Sequence, residues 1–108
     1  MTVLQYIETK DLGNMTARIY ESEHYQVSVR DFKEHTLRIV YINKKATESV
    51  KLPDIYANTV DDEKEVKLFI QTAGYGAMPK EDIAGVIKGY EIAVATVTEL
   101  ETILEGLK

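Results

Sequence analysis

No cysteine occurs among the 108 residues, so neither a disulfide nor a thiolate metal ligand contributes to the fold. Tryptophan is missing too, and the two histidines, His24 and His35, each sit in a turn-like stretch that reads as solvated loop. Zinc takes three or four ligands, usually with Cys or His among them, so a catalytic zinc is not expected. Ser22, Ser28 and Ser49 stand in no helpful local context, and neither G-x-S-x-G nor H-E-x-x-H is present. No run nears the roughly 20 apolar residues that a membrane span requires. The opening "MTVLQYIETKD" lacks a basic start, and Gln5 and Glu8 break its apolar stretch, which does not suit a signal peptide. The expectation is a soluble, cytoplasmic, non-enzymatic protein without a cofactor. A carboxylate pair converging from distant positions would leave no trace in the sequence, so an enzyme with a non-local site stays open.

What is present is ordinary for a globular chain: 44% apolar and 29% charged residues. The length suits one domain, residues 1–108, with strands mainly in 1–72 and a helix over 79–107. The net charge of −5 is unevenly placed. Residues 1–60 balance eight basic against eight acidic side chains, whereas residues 61–108 carry five basic and ten acidic ones. Phosphate backbones are bound through clustered Lys and Arg, so the acidic second half is a poor nucleic-acid surface.

The spacing predicts an α+β domain: a small antiparallel sheet of about five strands, with one long C-terminal helix packed on it. "VLQYIET" (3–9), "MTARIYES" (15–22), "YQVSVRDF" (25–32) and "LRIVYIN" (37–43) are short and rich in β-branched and aromatic residues. In the third, Tyr25, Val27 and Val29 alternate with Gln26, Ser28 and Arg30, the pattern of a strand with one wet face. The fourth is apolar at both parities and reads as a central strand. "ESVKLP" (48–53) is a candidate fifth strand, 54–65 a surface connection, and "VKLFIQT" (66–72) a further strand. Gly13-Asn14 suits a tight hairpin turn.

From Pro79 onward, Glu81 and Asp82 in the first turn mark a helix start, because acids complement the positive end of the helix dipole. At 100° per residue, Ile83, Val86, Tyr90, Ala93, Val94, Val97, Leu100 and Leu104 form one stripe. A helix–strand–helix parse, with Gly89 as a cap and 90–97 as a strand, competes with the single helix. The loop Gly74-Tyr75-Gly76-Ala77-Met78-Pro79 is no phosphate cradle. Pro79 removes a donor, Glu81 and Asp82 place negative charge there, and both glycine-rich spacings fail. It reads as a turn in which glycine tolerates unusual angles. Tyr75 either folds onto the sheet or serves as an exposed anchor.

Such a helix spans about 43 Å, against about 17 Å for a five-residue strand, so part of it extends past a small sheet. Gly85 and Gly89, beside Ile92, Thr96 and Ile103, form a flat strip that a backbone can approach. That strip either sits on the protein's own sheet or forms a homodimer interface.

The ending "LFIQTAGYGAMPKEDIAGVIKGYEIAVATVTELETIL" joins a strand closing in Gln-Thr, a Gly-Tyr-Gly turn and an acid-started helix closing in Glu-Leu-Glu. In this it resembles small uncharacterised proteins of Gram-positive phages and mobile elements. The resemblance carries over no functional residues. It implies a class of partners or inhibitors of host machinery, anti-CRISPR and other anti-defence proteins among them. The expected function is therefore a protein-binding module, an inhibitor offering acidic side chains to a basic nucleic-acid-binding protein. Asp61, Asp62, Glu63, Glu65, Glu81 and Asp82, with Tyr75, are its expected contact residues. The alternative is a single-stranded nucleic-acid binder that stacks bases on Tyr25 and Phe32, with Arg30, Arg38, Lys44 and Lys45 on the phosphates.

Overall fold

A computed structural model describes residues 3–45, 50–59, 65–72 and 74–107. The alternation around Tyr25 becomes β3 (Tyr25–Phe32), in which Tyr25, Val27 and Val29 are completely buried and Gln26 is exposed. It pairs antiparallel with β2 (Met15–Glu21) and β4 (Arg38–Lys44), and β1 (Gln5–Asp11) lies outside β2. The four strands therefore follow chain order as a meander. Register sets Tyr20 opposite Val27 and Val40 opposite Val29, which gathers one apolar face.

Short turns close the meander by local chemistry. Gly13 has φ of 88°, the left-handed region that side chains disfavour, and its N–H donates to Asp11 Oδ1 at 2.9 Å. Between β2 and β3, Ser22 Oγ accepts from the amides of His24 (3.3 Å) and Tyr25 (3.1 Å). His24 is not the solvated side chain expected from its turn: its side chain is largely covered and its Nδ1 is buried. β4 ends the four-stranded sheet instead of lying at its centre. Its second apolar parity is on the outer face, where Tyr41 is exposed and the Arg30 guanidinium stacks 4.8 Å from its ring centre.

Two further strands depart from the sequence expectation. β5 (Ile55–Thr59) lies in the stretch read as a surface connection, and it pairs with β6 (Val66–Ile70) as a separate two-stranded sheet beside β4. The described part of the expected fifth strand, 50–53, forms no strand. Ile55 and Ala57 face inward opposite Ile70 and Leu68, while Tyr56 and Phe69 pair on the exposed outer side. Among the described residues, six strands in two sheets thus replace the expected five or so in one.

The glycine loop leads into a single helix, α1 (Lys80–Gly106), so the helix–strand–helix parse does not hold. Pro79 precedes it in extended conformation, and its carbonyl accepts from the amides of Asp82 and Ile83. Gly74 and Gly76 are not among the positive-φ glycines, so this turn does not draw on the angles glycine alone tolerates. Leu100 and Leu104 pack with Leu4, Tyr20, Val27, Val29 and Val40 over the larger sheet. Ile92 and Ala93 pack with Tyr25 and Ile55 over the smaller one. The last helical turn has no basic residue of its own; instead Arg38 Nη2, from β4, donates to the Leu107 carbonyl at 3.1 Å. That cation meets the negative end of the helix dipole. It is held there by Asp31, which also pairs with Arg18 at 2.8 Å.

Candidate protein-interaction surface

The helix is too long for the sheets beneath it. Its 27 residues span about 40 Å. Its first buried residue is Gly89, so the turns over 80–88 project beyond the core. The molecule measures 51 × 25 × 21 Å, and its radius of gyration of 15.3 Å exceeds the about 13 Å of a compact chain this long.

The glycine strip is an internal contact, and the dimer expectation for it is corrected. Segment 50–53 crosses the helix there. Gly89 is buried so closely that a Cβ at this position would overlap the Lys51 carbonyl oxygen. The Lys51 amide donates to the Gly85 carbonyl at 3.4 Å. Ile92 and Thr96 are buried, and the Thr96 hydroxyl donates back to the Ile92 carbonyl at 2.8 Å. Ile103 is half-buried against the larger core cluster. The backbone that Gly89 admits is the chain's own, so buried Gly89, Ile92 and Thr96 offer no face to a second copy, while Gly85 and Ile103 stay half-exposed.

The buried face is rotated roughly 70° around the helix from the stripe read in the sequence. Ala93, Leu100 and Leu104 are buried as expected, but Ile83 and Val94 are 44% and 56% exposed. Ile87, assigned to neither face beforehand, is 54% exposed. Ile83, Ile87, Tyr90 and Val94 follow one another at spacings of four, three and four, so they share one side of the helix. This apolar strip, exposed at Ile83, Ile87 and Val94 and half-buried at Tyr90, runs from the projecting turns onto the packed part of the helix. Exposed Glu91 flanks it, and acidic Glu81 and Asp82 stand in the first turn of the same helix.

Of the expected contact residues, Glu81 and Asp82 are exposed in the first turn of α1, and Tyr75 is exposed in the loop before it. Glu65 is exposed just before β6, and Asp61, Asp62 and Glu63 lie outside the described residues. Tyr75 is an exposed side chain and not a cover for the core. With Tyr90, Asp54, Gln71 and Lys44 it lines a pocket of about 170 Å³.

The sheet alternative loses two of its members. Tyr25 is completely buried, and its hydroxyl donates to the Pro53 carbonyl at 2.7 Å. Burial pushes its phenol well above the ordinary range, and the Asp54 carboxylate adds to the effect. Arg38 is 1% exposed in its ion pair with Asp31. Neither can meet a nucleotide. Of the others, Arg30 lies on the outer face, stacked on Tyr41, which was not among the expected residues; Phe32, half-buried, stacks edge-on with His35, and Lys44 and Lys45 pair with Asp54 and Glu21.

Among the described residues no three His, Cys, Asp or Glu side chains gather as a metal site. No described helix is long and apolar enough to cross a membrane. No known protein family, curated protein or solved structure matches the chain.

Proposed function

We propose that this chain is a protein-binding module whose contact surface is the exposed side of α1 from Ile83 to Val94. The observation that carries the reading is the exposed strip Ile83–Ile87–Val94, flanked by Glu91 on a helix whose first turn carries Glu81 and Asp82. Apolar residues on an unpacked helix are hydrated at a free-energy cost that a partner's groove relieves. The neighbouring carboxylates favour a partner with a basic rim and speed its encounter at low salt. An inhibitor of a basic nucleic-acid-binding protein, as mobile elements carry, is the specific form of this reading. It draws on the sequence resemblance and on the acidic second half.

Tagged capture from nuclease-treated lysate, comparing the natural chain with Ile87→Glu, tests it. The expected result is a protein retained by the natural chain, released by salt and lost with the variant. Equal recovery on both would remove the strip from the function. A second reading, nucleic-acid contact through the outer sheet face, is favoured by the Arg30–Tyr41 stack. A gel shift with single-stranded DNA at low salt, abolished by Tyr41→Ala, would support it over the first.

A further inference from the structure

The pocket between Tyr90 of α1 and the loop before it contains chemistry that an apolar strip alone does not need. Tyr75, in the loop before α1, and Tyr90, within it, line the same cavity as Asp54, Gln71 and Lys44. Its volume of about 170 Å³ is several times the ~30 Å³ share of one water in the liquid. Tyrosine rings attract a cation to their faces, and Asp54 supplies a carboxylate. The Gln71 amide oxygen accepts one hydrogen bond, from the Tyr56 hydroxyl at 2.7 Å, and keeps a second lone pair.

The site already holds a cation loosely. Lys44 Nζ meets Asp54 Oδ1 at 3.3 Å, with side chains 43% and 45% exposed. An ion pair so open to water is easily exchanged. A guanidinium suits these walls better than an ammonium does. It is flat enough to stack on a phenol ring, less strongly hydrated, and able to give two parallel hydrogen bonds to one carboxylate.

We infer that this pocket receives the side chain of an arginine carried by the protein partner, displacing Lys44 from Asp54. The inference rests on the protein-binding reading above and deepens it. Tyr90 belongs both to the pocket and to the helix side that bears Ile83, Ile87 and Val94, so the strip and the pocket form one contact.

Nuclear magnetic resonance of the full chain tests the pocket directly, with N-acetyl-arginine amide as the probe and its uncharged citrulline counterpart as the control. Saturable shifts of the Tyr75 and Tyr90 ring protons are expected. The arginine amide should bind about tenfold more tightly than the citrulline amide. Asp54→Asn should weaken the arginine amide by about the same factor, and Lys44→Ala, which removes the competing ammonium, should tighten it. Lys44 is an exposed side chain, so that variant keeps the test available should Asp54→Asn disturb the fold. Equal binding of the two amides, absence of ring shifts, or indifference to both substitutions would overturn the pocket. Ile87→Glu separates this inference from the reading beneath it. Failed arginine binding with Ile87-dependent capture overturns the pocket alone. Arginine binding with Ile87-independent capture overturns the strip and leaves the pocket.

Discussion

The first third of α1, residues 80–88, and the remaining two thirds have similar apolar content and opposite fates. From Gly89 onward the helix buries Ile92, Ala93, Thr96, Leu100 and Leu104 against two sheets and the segment 50–53. Over 80–88 it buries nothing fully, although Ile83, Val86 and Ile87 are as apolar as anything in the remainder. An isolated helix of two or three turns is marginal in water, so the first third persists as an extension of a helix nucleated by packing elsewhere. Hydrophobicity alone does not decide burial here; the reach of the sheets does. What the anchored part holds in place, the free part can present.

Substitutions along the helix test that division, and the largest effect is expected at Leu100. Leu100→Ala empties a completely buried site between helix and sheet and should cost about 2–5 kcal/mol in urea unfolding. Gly89→Ala should follow, at about 1–3 kcal/mol, because the added methyl must push the Lys51 carbonyl aside. That loss outweighs the roughly 1 kcal/mol by which alanine favours a helix over glycine. A melt showing stabilisation would mean that segment 50–53 does not rest on the helix.

Tyr25→Phe removes the hydroxyl that donates to Pro53 and leaves that carbonyl without its donor. About 1–3 kcal/mol should be lost, again by urea unfolding. The same phenol makes stability depend on alkaline pH. Its folded value lies above the unfolded one near 10, so the unfolded chain releases its proton first. The contribution is complete below about pH 10 and disappears as pH rises through the folded value. Unfolding midpoints measured from pH 8 to 11 should therefore fall only at the upper end, and less in Tyr25→Phe. Smallest of all, Ile87→Ala should change stability by no more than about 0.5 kcal/mol, since its side chain already lies in water. A core-sized loss there would show that the projecting part is packed after all.

The meander was readable because its strands are short runs of β-branched and aromatic residues, cleanly alternating in β3, and its turns carry Gly13 and Ser22. Antiparallel hairpins are local, so pattern and turn chemistry suffice. β5 escaped because "IYANT" has a single strong apolar residue, Ile55, with the charge run at 61–65 close behind. Its partner β6 supplies most of the apolar face, and a pairing partner is not visible in one segment. The existence and length of α1 followed from Pro79, the acidic first turn and the apolar period. Its orientation did not. Counting apolar residues weights Ile83 and Val94 above Gly89 and Thr96, whereas close backbone approach selects the small ones. For the same reason the candidate surface was only half legible. Glu81, Asp82 and Tyr75 were visible as residues, but Ile87 and the pocket depend on which way the helix faces.

Anchored at one end and free at the other, α1 is a cantilever, and Gly89 on the Lys51 carbonyl is its fulcrum. A load applied near Ile83 bears on segment 50–53, whose end at Pro53 is tied to the buried Tyr25 hydroxyl. The amide of Lys51, at 3.4 Å from the Gly85 carbonyl, spans the joint itself. Its exchange with deuterium is thus a strain gauge built into the backbone: seating the lever should slow it, and prying the lever up should speed it.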